Sequence, residues 1–255
     1  MTRIRIFSET LAAIASLGMA SGVWAQSTSD AELAKQLSNP VASLISVPLK
    51  FDYDSNIGTG DDGISRTWTI QPVIPISLND NWNLISRTII PYSANTNVPS
   101  GSGSTSGLRD VTQSFFFSPK NPTANGLIWG AGPVFQIPSG SDLSSDTWGA
   151  GLTGLVLKQQ NGWTYGALAS QMWDVSGDVE INATFVQPFL SYTTPASWTF
   201  GLNTESTYNG VTNEWSVPIN ATVSKLVKIG NQPVSLQGGL RYWATSPNSA
   251  RRLAG

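Results

Sequence analysis

Residues 198–225, WTFGLNTESTYNGVTNEWSVPINATVSK, constrain the fold of this chain more than any other stretch. In the first arm Trp198, Phe200, Leu202 and Tyr208 share one face, and Thr199, Gly201, Asn203, Glu205 and Thr207 share the other. In the second arm Trp215, Val217, Ile219, Ala221, Val223 and Val227 oppose Ser216, Asn220, Thr222, Ser224 and Lys228. A period of two is the signature of a strand. Asn209-Gly210 lies between the arms and supplies a turn that tolerates positive φ. Each arm reaches the roughly ten residues that a tilted strand needs to cross a bilayer. One face is apolar and carries Trp or Tyr near its ends; the other is polar. A strand of a soluble sandwich is usually shorter and turns its apolar face inward. The hairpin therefore predicts an all-β, antiparallel up-and-down transmembrane β-barrel in which this unit recurs.

Composition agrees. Of 255 residues, 12% are charged and 40% hydrophobic, Gly (24) and Trp (10) are plentiful, and Cys and His are absent. That removes any disulfide framework and any Cys or His metal site. It also removes the base that outer-membrane proteases and lipases set beside their nucleophile. No enzyme, metal or cofactor is expected. Residues 1–25 read as a signal peptide: Arg3 and Arg5 begin it, residues 11–19 are a short apolar run, and Val23, Trp24 and Ala25 form a cleavage site. Without that leader 12 basic and 15 acidic residues remain of the 14 and 16, a net charge of −3, and nothing suggests nucleic acid. Past residue 25 no apolar run approaches the roughly 18 residues of a membrane helix.

Residues 26–40 are polar. Asp30 is expected to cap a short helix over 31–37, with Leu33 and Leu37 on one face, as a loose tail or a small plug. Eleven strand candidates follow, at 41–54, 64–78, 81–92, 107–117, 126–138, 147–158, 163–174, 181–193, 197–208, 214–228 and 232–244. The barrel thus spans 41–244, with an atypical tail at 245–255. The segments 147–158 and 181–193 alternate poorly. Long connections follow odd-numbered strands and, with one exception, short ones follow even-numbered strands, the asymmetry of outer-membrane barrels. Trp82, Trp129, Trp163 and Trp198 stand just after short turns; Tyr53, Tyr92, Trp148, Trp173, Tyr208 and Trp215 stand beside long loops. These form two interfacial girdles. Pro72, Pro133, Pro188 and Pro218 fall inside candidate strands, where bulges are expected.

Bacterial single-chain barrels have even strand counts. The tail ATSPNSARRLAG holds no strand, so the pattern is that of a 12-stranded barrel whose last strand is missing or altered, by truncation or a frame shift. Two unpaired edges in lipid would then each be costly.

No motif carries chemistry. Asp52 and Asp54 share a face and read as channel lining. Asp54, Asp61 and Asp62 match no calcium loop, and GSGSTSG at 101–107 lacks the helix and Lys of a phosphate cradle. The inward face supplies the candidate lumen residues Lys50, Asp52, Gln71, Arg87, Asp110, Gln136, Gln187, Glu205, Gln237 and Arg241. A charge there is tolerated, whereas Arg or Lys on the lipid side costs about 2–4 kcal/mol at mid-bilayer. Such residues either select solutes or fill the barrel as a polar network.

SNPVASLISVPLKFDYD, GLRDVTQSFFFSPK, WGAGPVFQIPSGSD, FVQPFLSY and GLRYWATSP, in that order over residues 39–248, resemble a proteobacterial outer-membrane transporter family, also called neuromedin-U-like or the meta-pathway phenol-degradation protein family. The resemblance implies a 12-stranded barrel that passes or senses small, often aromatic or hydrophobic compounds. Its members end on an aromatic residue read by the outer-membrane assembly machinery, where this chain has SARRLAG. The expected partners are outer-membrane lipid, a small-molecule solute and that machinery, in a Gram-negative outer membrane. The competing readings are a structural or partner-binding barrel without transport, and a soluble secreted β-sandwich or lipocalin-like binder.

Overall fold

A computed structural model of the chain describes residues 29–58, 60, 62–230 and 232–245, together with the backbone of 12–15. The described residues form one helix, α1 (Asp30–Leu37), and fifteen strands. The strands are β1 (Ala12–Ala15), β2 (Val47–Ile57), β3 (Gly63–Ile70), β4 (Val73–Ser77), β5 (Trp82–Thr96), β6 (Ser104–Leu108), β7 (Val111–Pro119) and β8 (Leu127–Ile137). After them come β9 (Trp148–Gln160), β10 (Trp163–Ser176), β11 (Asn182–Thr193), β12 (Trp198–Thr204), β13 (Ser206–Asn209), β14 (Glu214–Ile229) and β15 (Gln232–Thr245). Three staves are each built from two successive strands, β3 with β4, β6 with β7, and β12 with β13, so the fourteen strands after β1 make eleven long staves. Each stave pairs antiparallel with its neighbours in sequence, and one sheet runs around the whole circuit. This is an antiparallel up-and-down barrel. The sandwich alternative fails, because the described residues form no second sheet for an apolar face to pack against.

The gap expected from the odd strand count lies between β15 and β2, and part of it is filled. β1 pairs with β15 from Ala12↔Gln237 to Ala15↔Val234, and with β2 from Ala13↔Leu49 to Ala15↔Val47. The two edges are thus bridged near the short-turn end, while the described residues of β2 and β15 share no backbone pairing of their own. The remaining leader features, including the cleavage site at Ala25, and the end of the tail at 246–255 lie outside the described residues.

The outer wall is apolar. Leu152 is 66% exposed and Trp148 50%, and Trp68, Ile70, Leu190, Phe200, Leu202, Leu236 and Leu240 are exposed beside them. A monomer in water rarely shows so large a contiguous apolar surface, whereas a lipid-facing belt requires one. Aromatic rings meet across staves at both rims: Trp163 with Tyr192 at 4.9 Å near the short turns and Tyr208 with Trp215 at 5.1 Å near the long loops join adjacent staves, and Trp82 meets Trp129 at 5.8 Å across the intervening β7.

The four prolines expected at bulges sit at or beside irregularities of the sheet. Pro72 separates β3 from β4, and its carbonyl accepts from Thr88 N at 3.0 Å. Pro133 lies where the β7–β8 ladder skips between Ser114↔Val134 and Phe117↔Ala131. Pro188 faces the break between β12 and β13, since Phe189 pairs with Asn203 and Val186 with Ser206. Pro218 adjoins a bulge against β15. A proline has no N–H to donate, so it falls where no donor is needed. In the 198–228 hairpin the first arm breaks at Glu205 into β12 and β13, and positive φ falls at Asn213 (56°) rather than at the Asn209-Gly210 pair, where Asn209 Oδ1 instead accepts from Val211 N and Thr212 N.

Candidate lumen site

The interior has two zones. The first, toward the short turns, is occupied by the chain's own N-terminal segment. Helix α1 begins at Ser29, whose Oγ accepts from Glu32 N at 3.2 Å; Ser29, not Asp30, is the cap. Asp30 instead meets Lys228 of β14 at 2.7 Å, and Gln159 of β9 donates to the Lys35 carbonyl at 2.8 Å. These contacts hold the helix at the short-turn mouth. The chain then runs along the inner wall, where Asn83 donates to Ser43 Oγ at 2.8 Å. Val41 packs with Ile85, Phe116, Leu155, Leu157 and Leu168, and Val73, Ile128, Phe185 and Phe189 lie against them. The sequence of residues 26–40 allows either a tail or a plug; the described part of them packs against β9 and β14.

This zone corrects the expectation of a polar lumen throughout. Leu155 and Leu157 point inward from β9, and Phe185 and Phe189 pack against the same cluster from β11. Leu152, Val156 and Leu190 face outward from the same two strands. Both faces are apolar, which is why 147–158 and 181–193 alternate so weakly in sequence. The inward side chains bury against Val41 rather than lining water.

The second zone, toward the long loops, is charged. Arg241 Nη2 lies 2.9 Å from Asp52 Oδ1, and Nη1 lies 3.4 Å from Asp54 Oδ2. Lys50 Nζ lies 3.3 Å from Asp52 Oδ2 and 3.4 Å from Glu205 Oε2. Arg241 Nη2 approaches Glu205 at 3.9 Å, and its Nε donates to Asn220 Oδ1 at 3.0 Å. Asn220 in turn donates to Asn203 Oδ1 at 2.8 Å. Lys50, Asp52 and Asp54 alternate along β2, so all three face inward from one strand. Glu205 enters from the break between β12 and β13, opposite Pro188, where the interrupted ladder frees its backbone. Two cations are therefore shared by three carboxylates across β2, β15 and that break, with Asn220 of β14 beside them. Such a cluster gives this part of the interior both hydrogen-bond donors and acceptors.

The other lumen candidates divide. Asp110 and Gln136 are drawn into a different cluster, with the connection between β8 and β9. Asp110 accepts from Ser144 Oγ at 2.5 Å and Ser145 N at 3.0 Å, and Gln136 donates to Asp110 Oδ2 at 3.1 Å. They anchor that loop rather than line an open path. Gln187 lies on β11 paired with Leu168, and Gln237 on β15 paired with Ser224 and Ala12. Gln71 and Arg87 border a cavity beside the plug. All eight aromatic candidates, Trp82, Trp129, Trp148, Trp163, Trp173, Trp198, Tyr208 and Trp215, lie on the outer wall at or near the rims. Asn203 and Asn220 join the site unannounced by the sequence; both sit on the polar face of their strands, but nothing in an amide's sequence context marks it as an ion-pair partner.

No family model matches the chain, and no curated protein matches it. Among solved structures, the crystal structure of the COG4313 outer membrane channel from Pseudomonas putida F1 is similar, with a TM-score of 0.55 at 14% identity over 92% of this chain and 94% of that one. At that identity the likeness is one of fold, and the fold of this chain is that of an outer-membrane β-barrel.

Proposed function

We propose that this chain is an outer-membrane channel for small, hydrophobic or aromatic solutes, which diffuse passively along a narrow lumen. One observation carries the reading: an apolar outer belt encloses an interior whose lower part is an apolar cluster, Phe116 and Leu155 among it, covered by Val41 of the N-terminal segment. Displacement of the Val41 segment would bare that cluster and give hydrocarbon and aromatic groups a surface that water and sugars do not favour. The charged cluster at Lys50, Asp52, Glu205 and Arg241 then disfavours large polar solutes. In this reading the leader at 1–25 is removed on export, and the assembly machinery inserts the barrel into the outer membrane of a Gram-negative cell. Cleavage takes β1 with it and leaves side-chain contacts, Arg241 to Asp52 and Asp54, to hold β15 to β2. The partners are lipid and solute, and the chain performs no catalysis.

The test is osmotic swelling of proteoliposomes against the protein-free rate. Small aromatic solutes are expected to enter faster than a sugar of similar mass. No entry above background, with or without residues 29–38, rejects the channel. A second reading, a barrel that binds a partner without transporting, is favoured by the docked plug and the bridged charges. It predicts that deleting the β8–β9 loop abolishes partner binding while permeability stays at background.

A further inference from the structure

We propose that Arg87 is the anion-binding group of an internal subsite that takes the carboxylate of a small aromatic or short aliphatic acid. The proposal rests on the channel reading above and names a solute class for it. A cavity of about 160 Å³ lies between the N-terminal plug and the wall formed by β2, β4 and β5. Its lining is mixed: Arg87, Gln71, Ser46 and Asn39 are polar, and Leu37, Leu44 and Val73 are apolar.

Arg87 differs from the other two lumen cations. Lys50 and Arg241 each contact carboxylates at 2.9–3.4 Å. Among the described residues, the Arg87 guanidinium makes no ion pair and no hydrogen bond. Glu205, the acidic group that acts on it electrostatically, is engaged by Lys50 and Arg241. A guanidinium taken from bulk water without a carboxylate in contact is costly, and inside a membrane an ionisable group of that kind marks a site. Its planar fork matches the two oxygens of a carboxylate. In size the cavity matches the roughly 150 Å³ that accepts a benzene ring. The space therefore suits a ring or short chain against Leu37, Leu44 and Val73, with its carboxylate on Arg87 and the Gln71 amide beside it. A long-chain acid would not fit whole.

The test is isothermal titration of the full chain in detergent micelles with benzoate, benzyl alcohol and benzylamine, which share a ring and differ in charge. Benzoate is expected to bind about tenfold or more tightly than benzyl alcohol, the worth of one charge-assisted pair, and benzylamine least. Arg87→Gln is expected to erase that preference. Arg87→Lys keeps the charge without the fork and is expected to bind benzoate at an intermediate level; it serves if the Gln variant fails to show a folded circular-dichroism spectrum. Equal affinity for the three ligands, or an unchanged benzoate preference in either variant, overturns the proposal. Entry of benzyl alcohol into proteoliposomes without any benzoate preference overturns the subsite and leaves the channel. Benzoate binding without entry of any solute supports the subsite and rejects the channel.

Discussion

Arg241 Nη2 stands 2.9 Å from Asp52 Oδ1, and this contact joins β15 to β2, two strands whose described residues share no backbone pairing with each other. Both side chains are only 10% exposed. Asp52→Asn is expected to lower the unfolding free energy by about 2 kcal/mol, the scale of a hydrogen bond to a charged group, because Arg241 retains Asp54. Urea unfolding in phospholipid vesicles measures it. A double-mutant cycle with Arg241→Met is expected to return a coupling above about 0.5 kcal/mol; an additive pair would show that the contact contributes nothing to the seam.

The tie between Asp30 and Lys228 should behave differently. At 58% and 46% side-chain exposure for Lys228 and Asp30 the two are largely in water, and exposed pairs contribute from zero to about 1 kcal/mol. Lys228→Ala is expected to leave stability within that range. Deleting residues 29–38, in contrast, is expected to raise single-channel conductance in planar bilayers, since it empties the short-turn mouth. Equal conductance would mean that α1 does not obstruct the path.

Leu152, 66% exposed, marks the lipid side of β9. Leu152→Arg is expected to cost about 2–4 kcal/mol in vesicles. A substitution without effect there would show that this wall does not face hydrocarbon.

Two glycines give a steric contrast. A Cβ at Gly151 would stand 1.8 Å from the Gln171 carbonyl oxygen, whereas a Cβ at Gly238 meets nothing within 4 Å. Gly151→Ala is expected to destabilise by about 1–3 kcal/mol, as overpacking does. Gly238→Ala is expected to be neutral or to stabilise by up to about 1 kcal/mol, by lowering chain entropy. Thermal melts of the two variants in the same detergent decide it.

Alternation made the wall legible. Phe51, Tyr53, Trp198 and Leu202 declared an outer face, and Lys50, Asp52 and Arg241 an inner one, because a strand places neighbours on opposite sides. What alternation cannot convey is the filling. Leu155 and Leu157 are read as strand residues without a side, since the Val41 segment that covers them lies more than a hundred positions earlier in the chain. The pairing of Arg241 with Asp52 is hidden for the same reason: it depends on which staves adjoin across the seam, and the sequence pattern left that seam open. Arg87 and Glu205 look equivalent as inward charges; only the plug's position and the break opposite Pro188 separate a bridged carboxylate from a lone guanidinium.

The plug has a consequence for biogenesis. Residues 29–46 precede β2 directly and lie within the cylinder that β2 helps to form. The head of the polypeptide must therefore be enclosed as the staves come together, or be drawn in through the short-turn mouth afterwards. In either order, shutting the cylinder and stuffing it are coupled events, and a hollow, fully sealed intermediate would leave Phe116 and Leu155 facing solvent until the N-terminal strap arrived.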